Sequence, residues 1–238
     1  MSRALCLIPA HNEAANLSAV VAEVRARRPD LDILVVDDGS TDKTMVIVLR
    51  LGVRWLQLMD RMGIGSAMRA GLRYALRQGY DTVIRIDGDG QHRAEDIDAL
   101  LTPISAGHAD IVIGSRYHAA GGPGRNGSGP RLMGVLAALL SALTGRRVTD
   151  PTSGFYALGP RAIRILAEHH PTGYPEPELR LFLRRNALSV MEVGVRPRSR
   201  LNGRTSLTTG RLAAAAARVA LALVIVPLRR REREAARV

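Results

Sequence analysis

Cysteine occurs once, as Cys6. That excludes an intramolecular disulfide and any zinc site built on a cysteine cluster. Cys6 lies in the apolar run Ala4–Ile8 and reads as a buried strand residue, not a reactive thiol. Aromatic residues make up only 3% of the chain, too few for the stacking platforms that hold single-stranded nucleic acid. There is no internal repeat. The opening residues have neither the basic start nor the long apolar core of a secretory signal, and Pro9 interrupts the first apolar run. The protein is therefore expected to stay in the cytoplasm. The glycine-rich stretch 118–129 is not followed by Gly-Lys-Ser/Thr, so it is no Walker phosphate loop. It reads either as a connector or as a lid over substrate.

The 238 residues are 46% hydrophobic, enough for one large folded domain and short for two. The net charge is +12, unevenly spread: residues 196–238 hold 11 arginines and two glutamates, so they carry +9 and the body before them +3. A basic end on a nearly neutral body points to an anionic partner, either lipid headgroups or nucleic acid. The apolar segment 212–228 contains Arg218 and is followed by Arg229-Arg230-Arg231. It is at the lower length limit for a membrane span, so it reads as an amphipathic helix lying on the membrane surface or packed on the body. We divide the chain into a domain over 1–208 and an apolar helix with an arginine-rich tail over 209–238.

Short apolar runs alternate with amphipathic segments through the first 115 residues. Strands are expected at Ala4–Ile8, Asp32–Val36, Val53–Leu58, Thr82–Ile86 and Ile111–Ile113. Helices are expected near 13–27, 43–51, 66–78 and 94–101, with a later helix at Arg131–Leu143 and a strand at Ser189–Val195. This alternation predicts an α/β fold with a doubly wound, mostly parallel sheet, which binds ligands beyond the C-terminal ends of its strands. The polar clusters fall there: Pro9 to Glu13 after the first strand, Asp37-Asp38-Gly39-Ser40 after the second, Asp87-Gly88-Asp89 after the fourth.

Asp87 and Asp89 carry the strongest signal. In an extended Asp-x-Asp both carboxylates point the same way, and the flanking glycines admit a ligand close to the backbone. Such a pair suits a hard divalent cation whose other ligands are phosphate oxygens. Asp37 and Asp38 can accept hydrogen bonds from a ribose or a base, although Ser40 or Asp42 can also serve as a helix cap.

Taken in order, Pro9-Ala10-His11-Asn12-Glu13, Val35 to Asp42 and Asp87-Gly88-Asp89-Gly90-Gln91-His92 resemble the family 2 glycosyltransferases of GT-A fold. Asp150 to Phe155, Tyr174 to Glu178, Glu192-Val193-x-Val195 and Arg200-x-x-Gly203-Arg204-Thr205-Ser206 are similar to the branch of dolichol-phosphate mannosyltransferase and polyprenyl-phosphate glycosyltransferases. The resemblance implies that Pro9, Asn12 and Glu13 line the nucleotide pocket and that Asp37 and Asp38 hold base and ribose. Asp87, Asp89 and Gln91 would surround Mg²⁺ or Mn²⁺ and the diphosphate, with Arg116, Arg131 and Arg200 near donor and acceptor phosphates. Glu176 and Glu178 are candidates for a base or for acceptor binding, or they simply favour the first turn of a helix. The implied reaction is inverting transfer of one sugar from a GDP- or UDP-sugar to polyprenyl phosphate. The alternatives are a soluble enzyme acting on a hydroxyl and, remotely, a nucleic-acid-binding protein. The Gln-x-x-Arg-Trp segment of processive synthases is absent, which favours single transfer.

Overall fold

In the computed structural model the described residues are 3–118, 131–171, 175–196 and 198–199. Seven strands form one sheet: β1 (Ala4–Ala10), β2 (Asp32–Asp38), β3 (Arg54–Leu58), β4 (Thr82–Arg85), β5 (Ile111–Ser115), β6 (Tyr156–Leu158) and β7 (Val190–Gly194). Their spatial order is β3-β2-β1-β4-β6-β5-β7. Every neighbouring pair is parallel except those made by β6, which runs antiparallel to both β4 and β5. The mostly parallel sheet matches the expectation. The three-residue β6 was not anticipated, because an element that short has no readable periodicity.

Helices cover both faces, and burial on both sides explains the near-continuous apolar strands. From β1, Cys6 and Ile8 enter the layer under α1 (Leu17–Arg27), α2 (Thr44–Leu51) and α4 (Ile97–Ser105). Leu5 and Leu7 enter the opposite layer with α3 (Ile64–Arg77), α6 (Pro160–His169) and α7 (Pro175–Arg185). α5 (Arg131–Thr144) packs Leu136 and Leu140 with Val148 in a smaller cluster. Local chemistry sets several ends. Gly52 closes α2 in the left-handed conformation at φ 60°, where a side chain would be strained. Pro160 opens α6, where its missing N–H costs nothing.

The parallel arrangement places the ends of β1, β2, β4, β5 and β7 along one edge, together with the start of β6. The segment 212–228, the arginine-rich tail, the division after residue 208, Arg200 and the glycine-rich stretch beyond His118 lie outside the described residues. Among the described residues no helix is long and apolar enough to cross a membrane.

Candidate active site

The central strand β4 delivers the acidic loop to that edge. Gly88 is buried against the first loop: a Cβ there would sit 3.4 Å from Glu13 Cγ and 3.5 Å from the Pro9 carbonyl oxygen. This close approach brings Pro9 and Glu13 beside Asp87 and Asp89. Gly90 turns the chain at φ 76°, and the Gln91 amide donates to Asp89 Oδ1 at 3.0 Å. The Asp87 amide donates to His92 Nδ1 at 3.1 Å. A neutral ring accepting at Nδ1 carries its proton on Nε2, which lies 4.0 Å from Asp87 Oδ2. Burial holds this imidazole below its ordinary pKa, against the pull of Asp87 and Asp89. The ring stacks on Phe155, centroids 4.7 Å apart.

Beneath the loop lies a charge that the sequence reading did not single out. Arg85 ends β4 and is 1% exposed. Its Nε and Nη2 each reach Asp87 Oδ1 at 2.9 Å, and its Nη1 reaches Glu176 Oε1 at 3.2 Å. Its guanidinium sits 5.4 Å from the centre of the Tyr156 ring. Burial opposes the positive charge, but Asp87, Tyr156 and Glu176 outweigh it and hold the pKa above the ordinary arginine value. Burial pushes the Glu176 carboxyl up, with Arg85 pulling it back. Gly154 presses on this pair: a Cβ would come within 2.6 Å of Arg85 Nη2 and 2.8 Å of Asp87 Oδ2. The available signal was an arginine inside the apolar run Val83-Ile84-Arg85-Ile86.

On the β1–β2 side, Asn12, Asp37 and Asp38 organise backbone. Asp37, fully buried, accepts from the Ser40 amide at 3.3 Å and from its hydroxyl. Asp38 accepts from the amides of Met62 at 2.8 Å and Gly63 at 2.9 Å, fixing the loop after β3. Asn12, at φ 57°, accepts from the Thr41 amide at 2.9 Å and donates its own amide to Ser40 Oγ at 2.9 Å. Asp42 accepts from the Thr44 amide at 2.9 Å, taking the turn role ahead of α2.

On the β5–β7 side, Arg116 forks onto Asp150, with Nε at 2.7 Å and Nη2 at 2.8 Å. The Asp150 side chain is fully buried. The Asp150 carbonyl accepts from Arg180 at 3.0 Å, and Arg180 pairs with Glu192 at 2.6 Å. Glu192 also holds Thr149, by amide and hydroxyl. Asp87, Gln91, His92, Arg116, Gly154 and Arg198 line a cleft of about 100 Å³. A larger cavity of about 330 Å³ lies between α5, α7 and β7, and no acidic-loop residue lines it. Glu176 and Glu178 fall in the first turn of α7. Arg131 opens α5.

The oxygen donors of Asp87, Asp89 and Gln91 are of the chemical type a hard divalent ion takes. Among the described residues no group of three or more His, Cys, Asp or Glu converges to hold a metal. Two carboxylates with Gln91 beside them would leave most of a coordination sphere to phosphate oxygens and water, the usual arrangement of Mg²⁺ at a diphosphate.

A seven-stranded, mostly parallel sheet of this order, with helices on both faces, is an α/β fold of the GT-A type. Residues 6–173 match glycosyl transferase family 2, and the chain belongs to that family. It is 38% identical to a polyprenol monophosphomannose synthase of Mycolicibacterium smegmatis over 165 residues, 65% of this chain and 61% of that one. The chain thus spans about three fifths of that relative's length. It is 34% identical to an undecaprenyl-phosphate mannosyltransferase of Micrococcus luteus, over 69% of each chain. Among solved structures, mannosyl-3-phosphoglycerate synthase from Rubrobacter xylanophilus superposes with a TM-score of 0.74 at 20% identity, covering 98% of this chain and 77% of that one. Glucosyl-3-phosphoglycerate synthase from Mycobacterium tuberculosis, in complex with Mn²⁺, uridine diphosphate and glucosyl-3-phosphoglycerate, gives 0.70 at 23% identity, covering 94% and 79%. At these identities the likeness establishes the fold.

Proposed function

We propose that the protein transfers a single sugar, with inversion, from a nucleoside-diphosphate sugar to a polyprenyl phosphate. The carrying observation is how four carboxylates at this end of the sheet are engaged, while Asp96 at the rim of the cleft accepts the Arg196 amide. Asp87 and Glu176 are tied to Arg85, Asp150 to Arg116 and Glu192 to Arg180. A hydroxyl acceptor needs a carboxylate to take its proton, and a base bonded to arginine is a poor one. A phosphate acceptor arrives as an anion and needs none. Its oxygen forms a bond to the anomeric carbon from one side while the bond to the donor diphosphate breaks on the other, and no proton has to move. The lipid-phosphate acceptor named for the Micrococcus luteus relative supports the same reading.

In this scheme Asp87 and Asp89, with Gln91, would hold Mg²⁺ or Mn²⁺. A divalent cation there neutralises charge on the leaving group. Pro9 and Glu13 border the donor side, Arg85 keeps Asp87 oriented, and His92 Nε2–H offers a donor toward the cleft. Asn12, Asp37 and Asp38 shape the nucleotide side, Arg116, Arg131 and Arg200 are assigned to donor and acceptor phosphates, and Glu178 to acceptor binding. The basic segment 209–238 brings the enzyme to the inner membrane face by attraction to anionic headgroups. Truncation after Gly210 then releases the protein from anionic liposomes, and undiminished binding refutes this docking role.

The test is a thermal-shift panel of GDP- and UDP-sugars with and without Mn²⁺, since a ligand that binds only the folded state raises its melting point. We expect one donor to stabilise the protein only with metal, and Asp89→Ala to lose the effect. With that donor, undecaprenyl phosphate should accept the sugar. Transfer to a water-soluble hydroxyl and not to the lipid phosphate would overturn the acceptor assignment.

A further inference from the structure

The chain after β7 crosses the acidic loop and is fastened to it. The Arg196 amide donates to Asp96 Oδ2 at 3.0 Å, and the Arg198 amide to the Gln91 carbonyl at 3.3 Å. The Arg198 guanidinium does two further things. Its Nε donates to the Gly90 carbonyl, and its Nη2 pairs with Glu23 on α1 at 2.6 Å. The other oxygen of Glu23 accepts the Ala94 amide at 3.0 Å, where the 3-10 turn Ala94–Asp96 begins. One ion pair, between residues 175 positions apart, therefore grips both ends of the segment 90–94, on which Gln91 and His92 sit and which Asp89 enters.

We propose that Glu23 and Arg198 are positioning residues that hold the acidic loop in register for its cation and diphosphate, an inference that rests on the function proposed above. Both side chains are 30% exposed, and an ion pair that open to water contributes little to global stability. Its geometry is what matters. A guanidinium fork can satisfy the Gly90 carbonyl and Glu23 together, and a lysine ammonium lacks the rigid fork to do so. Bonds within the loop, from the Gln91 amide to Asp89 and from the Asp87 amide to His92, fold it on itself, and glycines at 88 and 90 leave the placement of its far end to outside contacts. The anchor comes from α1, whose inner face is set in the core by Val20, Val21 and Val24.

The experiment is hydrogen–deuterium exchange on the ligand-free full chain, comparing wild type with Glu23→Gln, Arg198→Met, Arg198→Lys and the Glu23→Gln/Arg198→Met double variant. Glu23→Gln keeps an acceptor for the Ala94 amide and removes only the charge. We expect peptides spanning 88–94 to exchange severalfold faster in Glu23→Gln and in Arg198→Met, and no faster in the double than in Arg198→Met. Arg198→Lys should be intermediate, and peptides from β1 and β2 unchanged. The Mn²⁺ concentration needed for donor-dependent stabilisation should rise in parallel. Unchanged exchange at 88–94, or acceleration spread over the whole chain, would overturn the positioning role. If the loop loosens as expected while wild type gains no metal-dependent stability from any nucleotide sugar, the positioning role stands and the proposed function falls.

Discussion

Arg85→Met removes a buried cation from between two carboxylates. The methionine fills similar space, but Asp87 and Glu176, whose side chains are 28% and 15% exposed, are left without their shared partner. Removing one member of a buried ion pair costs about 3–5 kcal/mol. Asp87 is partly hydrated and Glu176 can take up a proton, so the lower end applies, about 3 kcal/mol. For a chain of this size that lowers the melting temperature by roughly 6–12 °C. The loss depends on pH with a definite sign. The Glu176 carboxyl already sits above its ordinary value in the folded state because of burial, and without Arg85 it rises further. Between the ordinary glutamate pKa, about 4.3, and that raised value, the native state binds more protons than the unfolded state. Stability of the variant therefore falls as pH rises through this window. Urea unfolding of wild type and variant, in mildly acid and mildly alkaline buffer, should show a deficit that widens toward alkaline pH. Arg85→Lys should recover only part of it, since an ammonium cannot reach both carboxylates in the same geometry. A variant within about 0.5 kcal/mol of wild type at alkaline pH, the spread of ordinary surface substitutions, would show that Arg85 does not neutralise this pair.

Gly154→Ala drives a methyl against the same ion pair, so kcat/KM should fall roughly tenfold or more, equivalent to about 1.4 kcal/mol, with the circular dichroism spectrum retained; unaltered kinetics would count against it. In Gly71→Ala the new Cβ meets Leu7 Cδ1 and sits 2.7 Å from Cδ2 in the filled core. Overpacking costs about 1–3 kcal/mol and the gain in helix propensity returns about 1 kcal/mol, so a modest net loss should appear in urea unfolding. The Cys6 thiol is fully buried and pushed up to about 12. It should resist a thiol reagent in the native protein and react completely once urea unfolds the chain.

Much of the architecture could be read from local pattern. A parallel strand buried on both faces must be apolar along its length, so β1, β2, β4 and β5 appear in the sequence as Ala4–Ile8, Asp32–Val36, Thr82–Ile86 and Ile111–Ile113. Helices between such strands favour a doubly wound sheet, and polar residues at the C-terminal ends of its strands lie on its binding edge. Asp87 and Asp89 are singled out that way. The partners of the charged residues are not, because periodicity carries no information about contacts made across the fold. Arg85 meets Glu176 from 91 positions away, and Arg116 meets Asp150 across 34. Asp37 and Asp38 were marked as ligands for base and ribose, yet their carboxylates also hold Ser40, Met62 and Gly63 in place. Residue order decides what must be buried and which strand ends turn polar. Only folding decides which distant charge each buried charge must neutralise, because ionised groups withdrawn from water need a partner, and sheet topology chooses it.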